Sequence, residues 1–273
     1  MVIPDTVQRH RDTIKRAHRV RNAEQLVKLV DSLGFAFAFT LRTGDAPIPA
    51  CFDHLSTNDT DRKWKWMWGW KDELPEEKKL YYGVLLARKP TFVSMKLLPT
   101  FYATFGRAGE SDDHDAEVRA GRLSDVARRI IEFLAQNGET QTKRMRAELG
   151  ITSKEGRSTY AKAIDDVQRL MYVARVRAVG EFREDYNYTY DLFVRRYPES
   201  VKAAERLTSA DATAALLVRT LELAGLVTEK QLVRLFDWDD AVAQRAIARA
   251  AGERKLVQNN GSLILPALYD GRA

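Results

Sequence analysis

Apolar residues recur every three to four positions through residues 5–32, which predicts one long amphipathic helix with an interruption near Asn22. Gly34 is expected to end this helix, because glycine readily adopts the left-handed conformation that closes many helices. Large and small side chains then alternate from Phe35 to Phe39 in the order Phe-Ala-Phe-Ala-Phe. This alternation predicts a strand that is packed on both faces.

A second alternating pattern involves four of the five tryptophans, which occupy every other position of one seven-residue run: Trp64, Trp66, Trp68 and Trp70. A period of two places all four indoles on one face of a strand, whereas a helix would distribute them around its axis. The run is therefore predicted to be extended. Three lysines accompany it: Lys63 and Lys71 at its two ends and Lys65 within it. An aromatic surface with neighbouring lysines could stack a base and bind its phosphate. The same indoles could instead form one side of a hydrophobic core.

The segment after the tryptophans has the features of a helix start. Asp72, Pro75 and the two glutamates that follow suit a first turn, because proline fits there and acidic residues favour the positive helix end. We expect Asp72 to cap this helix. The helix is predicted to continue through Tyr82 and to end at the Lys89-Pro90 step.

Three further segments complete the N-terminal region. A strand is expected over residues 91–96 and a short helix over residues 97–105. Residues 106–121 are rich in Gly, Ser and Asp and poor in large apolar residues, which indicates a linker.

The C-terminal half contains one succession of patterns twice: three helical segments followed by two alternating segments. In the first copy, Ser124 and Thr140 are predicted helix caps, and the third helix runs from about Arg157 to Met171. In the second copy, Asn260-Gly261 between alternating segments is a strong hairpin signal. Three helices followed by a hairpin is the winged-helix arrangement, a relative of the helix-turn-helix.

These elements predict an α+β protein that is mainly α with short β hairpins. We expect an N-terminal helix and aromatic-rich α/β region over residues 1–106 and a linker over 107–122. Tandem winged-helix units are then expected over 123–198 and 208–271. The chain of 273 residues is long enough for these parts.

Composition narrows the class of protein further. The formal net charge is +6, and residues 1–30 carry seven Lys or Arg against three Asp or Glu. A basic chain favours polyanionic partners such as double-stranded DNA, although a solvated helix face would also carry such charge.

Other classes of site find little support in the sequence. Cys51 is the one cysteine, which excludes an internal disulfide and a cysteine-rich zinc site, and the four histidines show no metal-ligand spacing. We therefore expect no metal and no cofactor. The longest apolar run, residues 33–39, is far shorter than a membrane span, and the N-terminus lacks a hydrophobic signal core, so a cytoplasmic location is expected.

Several motifs resemble a bacterial winged-helix family related to the AlkZ-type DNA glycosylases, which unhook crosslinks and bulky alkylated bases. The motifs are Gly34-Phe-Ala-Phe-Ala-Phe-Thr40, Trp68-Gly-Trp-Lys-Asp-Glu-Leu-Pro75, Tyr81-Tyr-Gly83, Lys89-Pro-Thr-Phe-Val-Ser94 and Leu97-Leu-Pro-Thr-Phe-Tyr-Ala103. The resemblance covers about residues 30–105 and implies DNA binding and DNA repair. Those glycosylases carry a catalytic Gln-x-Gln pair, and no two glutamines of this sequence are two positions apart. That departure argues against base excision by such a pair.

The candidate DNA-binding residues lie on the predicted third helices and the first hairpin. They are Ser158, Lys162, Arg169, Arg175, Arg177, Arg183, Arg245 and Arg249. Lys and Arg can bind phosphates or guanine edges. Asp165 and Asp166 are predicted on the same face as Lys162, where they would repel phosphates. A winged helix used only for packing is therefore the alternative for this unit.

A candidate base-stacking pocket comprises Trp68, Trp70, Lys71 and Tyr82. Asp72 is the candidate catalytic carboxylate, because a glycosylase needs a group that positions water next to an extruded base. Three functions stay open: a DNA-binding protein in repair or regulation, a DNA glycosylase-like enzyme acting on damaged bases, and a non-catalytic winged-helix assembly protein.

Overall fold

The structure is a computed structural model that describes residues 4–41, 47–105, 114–180 and 186–269. The first two helices, α1 (Asp5–Ala17) and α2 (Ala23–Leu33), meet at the interruption predicted near Asn22. The Asn22 side chain accepts a hydrogen bond from the backbone N–H of Gln25 and so caps α2. Gly34 follows α2 with a φ of 78°, as expected for a glycine that ends a helix.

A three-stranded antiparallel sheet forms the N-terminal core, and its strands are β1 (Phe35–Phe37), β2 (Leu80–Val84) and β3 (Pro90–Ser94). The order is β1-β3-β2. The strand predicted from Phe35 is confirmed over its first three residues, and all three are buried. The strand predicted over 91–96 and the short helix predicted over 97–105 are present as β3 and α4 (Leu98–Ala103).

The helix predicted from Asp72 through Lys89 is wrong. That stretch contains β2 and a short 3-10 turn, Leu86–Arg88. Tyr81 and Tyr82 pair with Val93 and Phe92 of β3. Aromatic and β-branched residues favour such a pleated, buried surface over a helix, and tertiary pairing outweighs the local signal.

The tryptophan run is also not a strand, because it lies in the helix α3 (Thr60–Glu76). Asp59 begins this helix by accepting a hydrogen bond from the backbone N–H of Arg62. Asp72 and Pro75 therefore lie inside the last turns of α3, and the expectation that Asp72 caps a following helix is wrong. On a helix the four tryptophans form two pairs, each four residues apart, on opposite sides of the axis.

The first C-terminal unit follows α5 (His114–Arg119), which lies within the predicted linker, whereas residues 106–113 lie outside the described residues. The elements of this unit are α6 (Asp125–Asn137), β4 (Thr140–Gln141), α7 (Thr142–Glu148), α8 (Lys154–Arg169), β5 (Val173–Val179) and β6 (Asn187–Leu192). Ser124 caps α6 as predicted. Thr140 lies in β4, and Gln141 takes the cap position of α7 instead.

Two short helices, α9 (Phe193–Arg196) and α10 (Pro198–Ala204), lead to the second unit. Its elements are α11 (Ser209–Ala224), β7 (Leu226–Thr228), α12 (Glu229–Phe236), α13 (Asp240–Gly252), β8 (Val257–Asn259) and β9 (Ser262–Ile264). Thr228 and Gln231 form a complete capping box at the start of α12. Asn260 and Gly261 both have positive φ, as the predicted tight hairpin turn requires.

The two units share one topology. Each has a helix, a strand, two helices and a hairpin, and in each sheet the last strand lies in the middle: β4-β6-β5 and β7-β9-β8. The predicted succession of three helices and a hairpin is therefore present twice, and the fold class is α+β. The assignment to the winged-helix class and the domain boundaries stay predictions.

The largest apolar core crosses the predicted boundaries. It joins the N-terminal sheet to Ala174 of β5, Phe193 of α9 and Leu216 of α11. Arg219 of α11 also donates a hydrogen bond of 2.9 Å to the carbonyl of Leu33.

Among the described helices, none is both long and apolar enough to cross a membrane.

Candidate functional site

Charged and phenolic side chains from α3 and the β5–β6 hairpin meet in one cluster, which we call the Lys71 cluster: Lys71, Asp72, Arg175, Tyr186 and Tyr188. Lys71 Nζ lies 2.8 and 2.9 Å from the two carboxylate oxygens of Asp72. It also donates to the hydroxyl of Tyr188 at 3.0 Å and to that of Tyr186. The Tyr186 hydroxyl donates to Asp72 Oδ2 at 2.5 Å. Asp72 is thus bound on both oxygens.

Burial sets the electrostatics of this cluster. Only 2% of the Lys71 side chain is exposed, against 16% for Asp72. Burial lowers the pKa of Lys71, and the adjacent Asp72 carboxylate partly offsets that effect by favouring the charged ammonium. Burial, followed by the hydrogen bond to Asp72, raises the pKa of Tyr186, so this hydroxyl keeps its proton and remains a donor.

The aromatic residues of the predicted base-stacking pocket divide between this cluster and the core. Trp68 is 52% exposed, and its ring centre lies 4.0 Å from Lys71 Nζ. Tyr82 is buried beneath the guanidinium of Arg175, 4.9 Å from its ring centre. Trp70 is also buried and stacks on Trp66 at 5.4 Å, so it is part of the core.

A separate groove lies between the start of α6 and the outer face of α8, with a volume of about 420 Å³. Two predicted DNA contacts, Ser158 and Lys162, line this α6–α8 groove and are exposed. Arg122 and the N-cap residue Ser124 line its other side. The groove therefore combines a lysine, hydroxyl groups and the positive end of a helix dipole, which are features that attract phosphate.

The expected repulsion of phosphate by Asp165 and Asp166 depends on how each carboxylate is placed. Asp166 is buried and accepts a hydrogen bond of 2.8 Å from Arg88. Asp165 is half-buried, and burial raises its pKa. Asp166 lines the α6–α8 groove with Lys162, so the groove also carries one buried carboxylate that Arg88 pairs with.

Arg169 is largely buried, contrary to the prediction of an exposed contact. Its side chain is 12% exposed and pairs with Asp237 at 2.7 Å. Arg88 also approaches Asp237, at 3.5 Å, and so links the 3-10 turn, α8 and the end of α12. Arg169 therefore joins parts of the fold and is not an exposed contact.

The arginines of the first hairpin do not share one exposed surface either. The guanidinium of Arg175 lies 3.7 Å from the ring centre of Tyr188, inside the Lys71 cluster. Arg177 is exposed and pairs with Glu139 at 2.7 Å. The pairing of β5 with β6 shifts register between these two residues, and such an irregularity redirects side chains that would otherwise point to the same face.

The remaining predicted DNA contacts have different surroundings. Arg183 lies outside the described residues. Arg245 is exposed on α13, whereas Arg249 pairs with Asp211 and, at 3.4 Å, with Glu253. Lys162, Arg177, Arg245 and Arg249 are thus the predicted cations that remain exposed, and Arg177 and Arg249 are each held in an ion pair.

One group of potential metal ligands is present among the described residues, although the histidine spacing did not indicate it. Ligand atoms of His114, Asp115 and Glu132 lie within 4.8 Å of one another. Glu132 already accepts a hydrogen bond of 2.6 Å from Arg128. The expectation of no metal site stays a prediction.

Sequence reasoning missed the roles of Tyr186, Tyr188 and Arg88. A signal for the first two exists in the Tyr-x-Tyr-x-Tyr pattern of residues 186–190, which marks one face of a strand. Their partners on α3 are more than a hundred residues away in sequence. Only the folded chain brings them together.

The chain belongs to the AlkZ-related family, whose sequence pattern it matches over residues 20–237. Its fold is similar to that of DNA glycosylase AlkZ from Streptomyces sahachiroi, with a TM-score of 0.58 at 10% sequence identity. The match covers 96% of this chain and 69% of that chain. At this identity the similarity shows the fold. No curated protein sequence matches the chain.

Proposed function

We propose that this protein binds double-stranded DNA and acts in DNA repair. The observation that carries the proposal is membership of the AlkZ-related family over most of the chain, together with the fold of a DNA glycosylase. The net charge of +6 agrees with a polyanionic partner. The two repeated units supply the helices and hairpins that winged-helix proteins place on a duplex.

The α6–α8 groove is the proposed contact for the DNA backbone. Lys162 is exposed there, and the acidic residue that also lines the groove, Asp166, is buried and paired with Arg88 at 2.8 Å. Ser158 adds a hydroxyl that can bind a phosphate oxygen. Arg177 and Arg245 extend the proposed contact to the first hairpin and the second unit.

Fluorescence anisotropy with a labelled 20-base-pair duplex tests this proposal. Binding should weaken as salt rises, because phosphate contacts release counterions. Lys162→Glu should weaken binding and flatten the salt dependence by about 0.9 in log–log slope for one lost contact. Lys202→Glu, the same change at an exposed lysine of α10, is the matched control.

Two outcomes would contradict the proposal. Duplex binding that is absent at low salt would favour the non-catalytic assembly protein. Equal effects of Lys162→Glu and Lys202→Glu would show that overall charge, not the α6–α8 groove, determines affinity.

A second candidate function is glycosylase-like base release, favoured by the position of Asp72. Its carboxylate is bound by Lys71 and Tyr186 yet remains 16% exposed. A carboxylate held in place by a cation and a phenol can orient a water molecule. Trp68 lies against the same cluster with its ring exposed, where an extruded base could stack.

Release of bases from alkylated duplex DNA tests this second candidate. Asp72→Asn should abolish release while duplex affinity is retained. Glu73→Gln, at the next and exposed position of α3, should leave release unchanged. An inactive wild-type protein on alkylated and crosslinked duplexes would refute the candidate.

A further inference from the structure

Two indoles on α3 are exposed although large apolar side chains are usually buried. Among the described residues, four large apolar side chains are exposed: Trp64 at 47%, Trp68 at 52%, Leu207 at 38% and Tyr269 at 39%. Trp64 and Trp68 are four residues apart in one helix, so they lie on the same face, about 6 Å apart along the axis. They form one exposed aromatic surface, which we call the tryptophan platform.

Each indole of the platform is supported by the protein. Trp64 stacks on Phe39 with ring centres 5.5 Å apart and an angle of 22°, and it also packs on Phe52 at 4.7 Å. Trp68 lies on Lys71 Nζ at 4.0 Å and beside Tyr186 at 5.6 Å. These contacts fix the rings while about half of each side chain remains open to a ligand. Such fixed rings lose little conformational entropy when a second ring stacks on them.

Positive charge accompanies the platform. Lys65 is exposed between the two tryptophans in sequence, and Lys63 precedes them. The structure records no ion pair for either lysine with another described residue. Aromatic faces next to free cations are the combination that binds single-stranded nucleic acids, in which bases stack on rings and phosphates meet lysines.

The geometry selects unpaired bases over a duplex. In a duplex, each base face is covered by the neighbouring pair, with a rise of about 3.4 Å per step. Two indoles about 6 Å apart along a helix can therefore stack only on bases that have left that stack. A protein partner would instead require a broader apolar surface, and the two tryptophans are the only exposed large apolar residues of α3.

We propose that the tryptophan platform is a binding site for an unpaired DNA strand, with bases stacked on Trp64 and Trp68 and a phosphate near Lys65. The identity of the strand as DNA rests on the proposed function. This site is distinct from the α6–α8 groove, which is proposed to contact the duplex backbone. A junction between paired and unpaired DNA would engage both.

Binding of a labelled 12-nucleotide oligodeoxythymidine, measured by anisotropy, tests the platform. Trp64→Ala and Trp68→Ala should each weaken binding by about 5-fold to about 100-fold, the range of one lost base–aromatic stack. Affinity for a blunt duplex should change little. Tyr269→Ala, which removes an exposed aromatic ring elsewhere, is the matched control and should have no effect.

Two conservative changes separate stacking from folding, because both indoles also pack on neighbours. Trp64→Tyr and Trp68→Tyr keep a flat ring and should retain much of the affinity. Lys65→Glu should weaken binding of the single strand without lowering the melting temperature, since Lys65 is exposed.

The outcomes distinguish this inference from the proposed function. If the wild-type protein binds the single strand but not the duplex, the duplex proposal fails and the platform stands. If it binds the duplex, and the double variant Trp64→Ala/Trp68→Ala keeps full affinity for the single strand, the platform is refuted. Failure of the wild-type protein to bind the single strand at low salt would overturn it too. Loss of binding to anionic phosphatidylglycerol vesicles in the double variant, with single-strand affinity unchanged, would assign these indoles to a lipid surface instead.

Discussion

The two hairpins of this protein occupy the same place in the same topology but have different surroundings. The β5–β6 hairpin has strands of seven and six residues, and it contacts α3 through the Lys71 cluster. The β8–β9 hairpin has strands of three residues. In this hairpin the Gln258 side chain donates a hydrogen bond of 3.4 Å to Glu229, which belongs to the same unit.

This difference shows that the basic residues of a hairpin do not by themselves identify a DNA-binding wing. In the first unit, Arg175 lies against tyrosines instead of facing solvent, and Arg177 remains exposed. The first hairpin therefore has one part that joins the unit to α3 and another that is available to a ligand. The second hairpin mainly completes a small core.

The largest expected effect follows from breaking the Lys71 cluster. Asp72→Ala leaves the ammonium of Lys71 buried without its carboxylate, which costs about 3–5 kcal/mol for a broken buried pair. Chemical denaturation should show this loss of unfolding free energy. Gln258→Ala in the second hairpin should change the unfolding free energy very little. Similar losses in the two variants would remove the contrast between the hairpins.

The pH dependence of stability gives a second test. The pKa of Tyr186 is raised in the folded protein, above its ordinary value of 10.0, because of burial and the hydrogen bond to Asp72. Its stabilising contribution is therefore complete below pH 10 and is lost as the pH rises above 10, where the unfolded chain releases the proton. Tyr186→Phe should be less stable than the wild type at pH 8, and this difference should shrink above pH 10. A difference that is constant from pH 8 to 11 would contradict the assignment.

A smaller effect is expected at the turn of the second hairpin. Gly261 has a φ of 73°, and a Cβ atom placed there would meet nothing within 4 Å. Gly261→Ala should therefore cost about 1 kcal/mol of unfolding free energy, from backbone strain alone. Duplex affinity should stay unchanged. A loss of affinity would indicate that this hairpin contacts DNA as well.

The smallest effect is expected from single exposed cations. Arg177→Glu in the first hairpin and Arg245→Glu in the second unit should each flatten the log–log slope of duplex affinity against salt concentration by about 0.9. That is the value for one lost phosphate contact. Their melting temperatures should stay close to that of the wild type, because both side chains are exposed. An effect at Arg177 alone would confine binding to the first unit.

Local signals in the sequence were sufficient where a few adjacent residues determine the structure. The helix interruption near Asn22, the cap at Ser124 and the turn at Asn260-Gly261 were predicted because each depends on its own side chains and backbone. The repeated succession of helices and hairpins follows from such signals.

The predictions that failed depend on distant contacts or on an ambiguous period. A period of two in seven residues also fits a helix that presents two pairs of rings, and the cap at Asp59 was the signal that favours the helix. Tyr81 and Tyr82 belong to a strand because β3 pairs with them. The inward positions of Asp166, Arg169 and Arg175 required partners that only the folded chain supplies.

Hydrogen–deuterium exchange with and without a duplex tests the central claim, that DNA binds through the α6–α8 groove, most directly. Peptides covering residues 121–128 and 154–169 should become protected when the duplex is added, and Lys162→Glu should reduce that protection. Protection confined to the second unit would contradict the account. So would a lack of protection in both peptides at a duplex concentration that saturates binding.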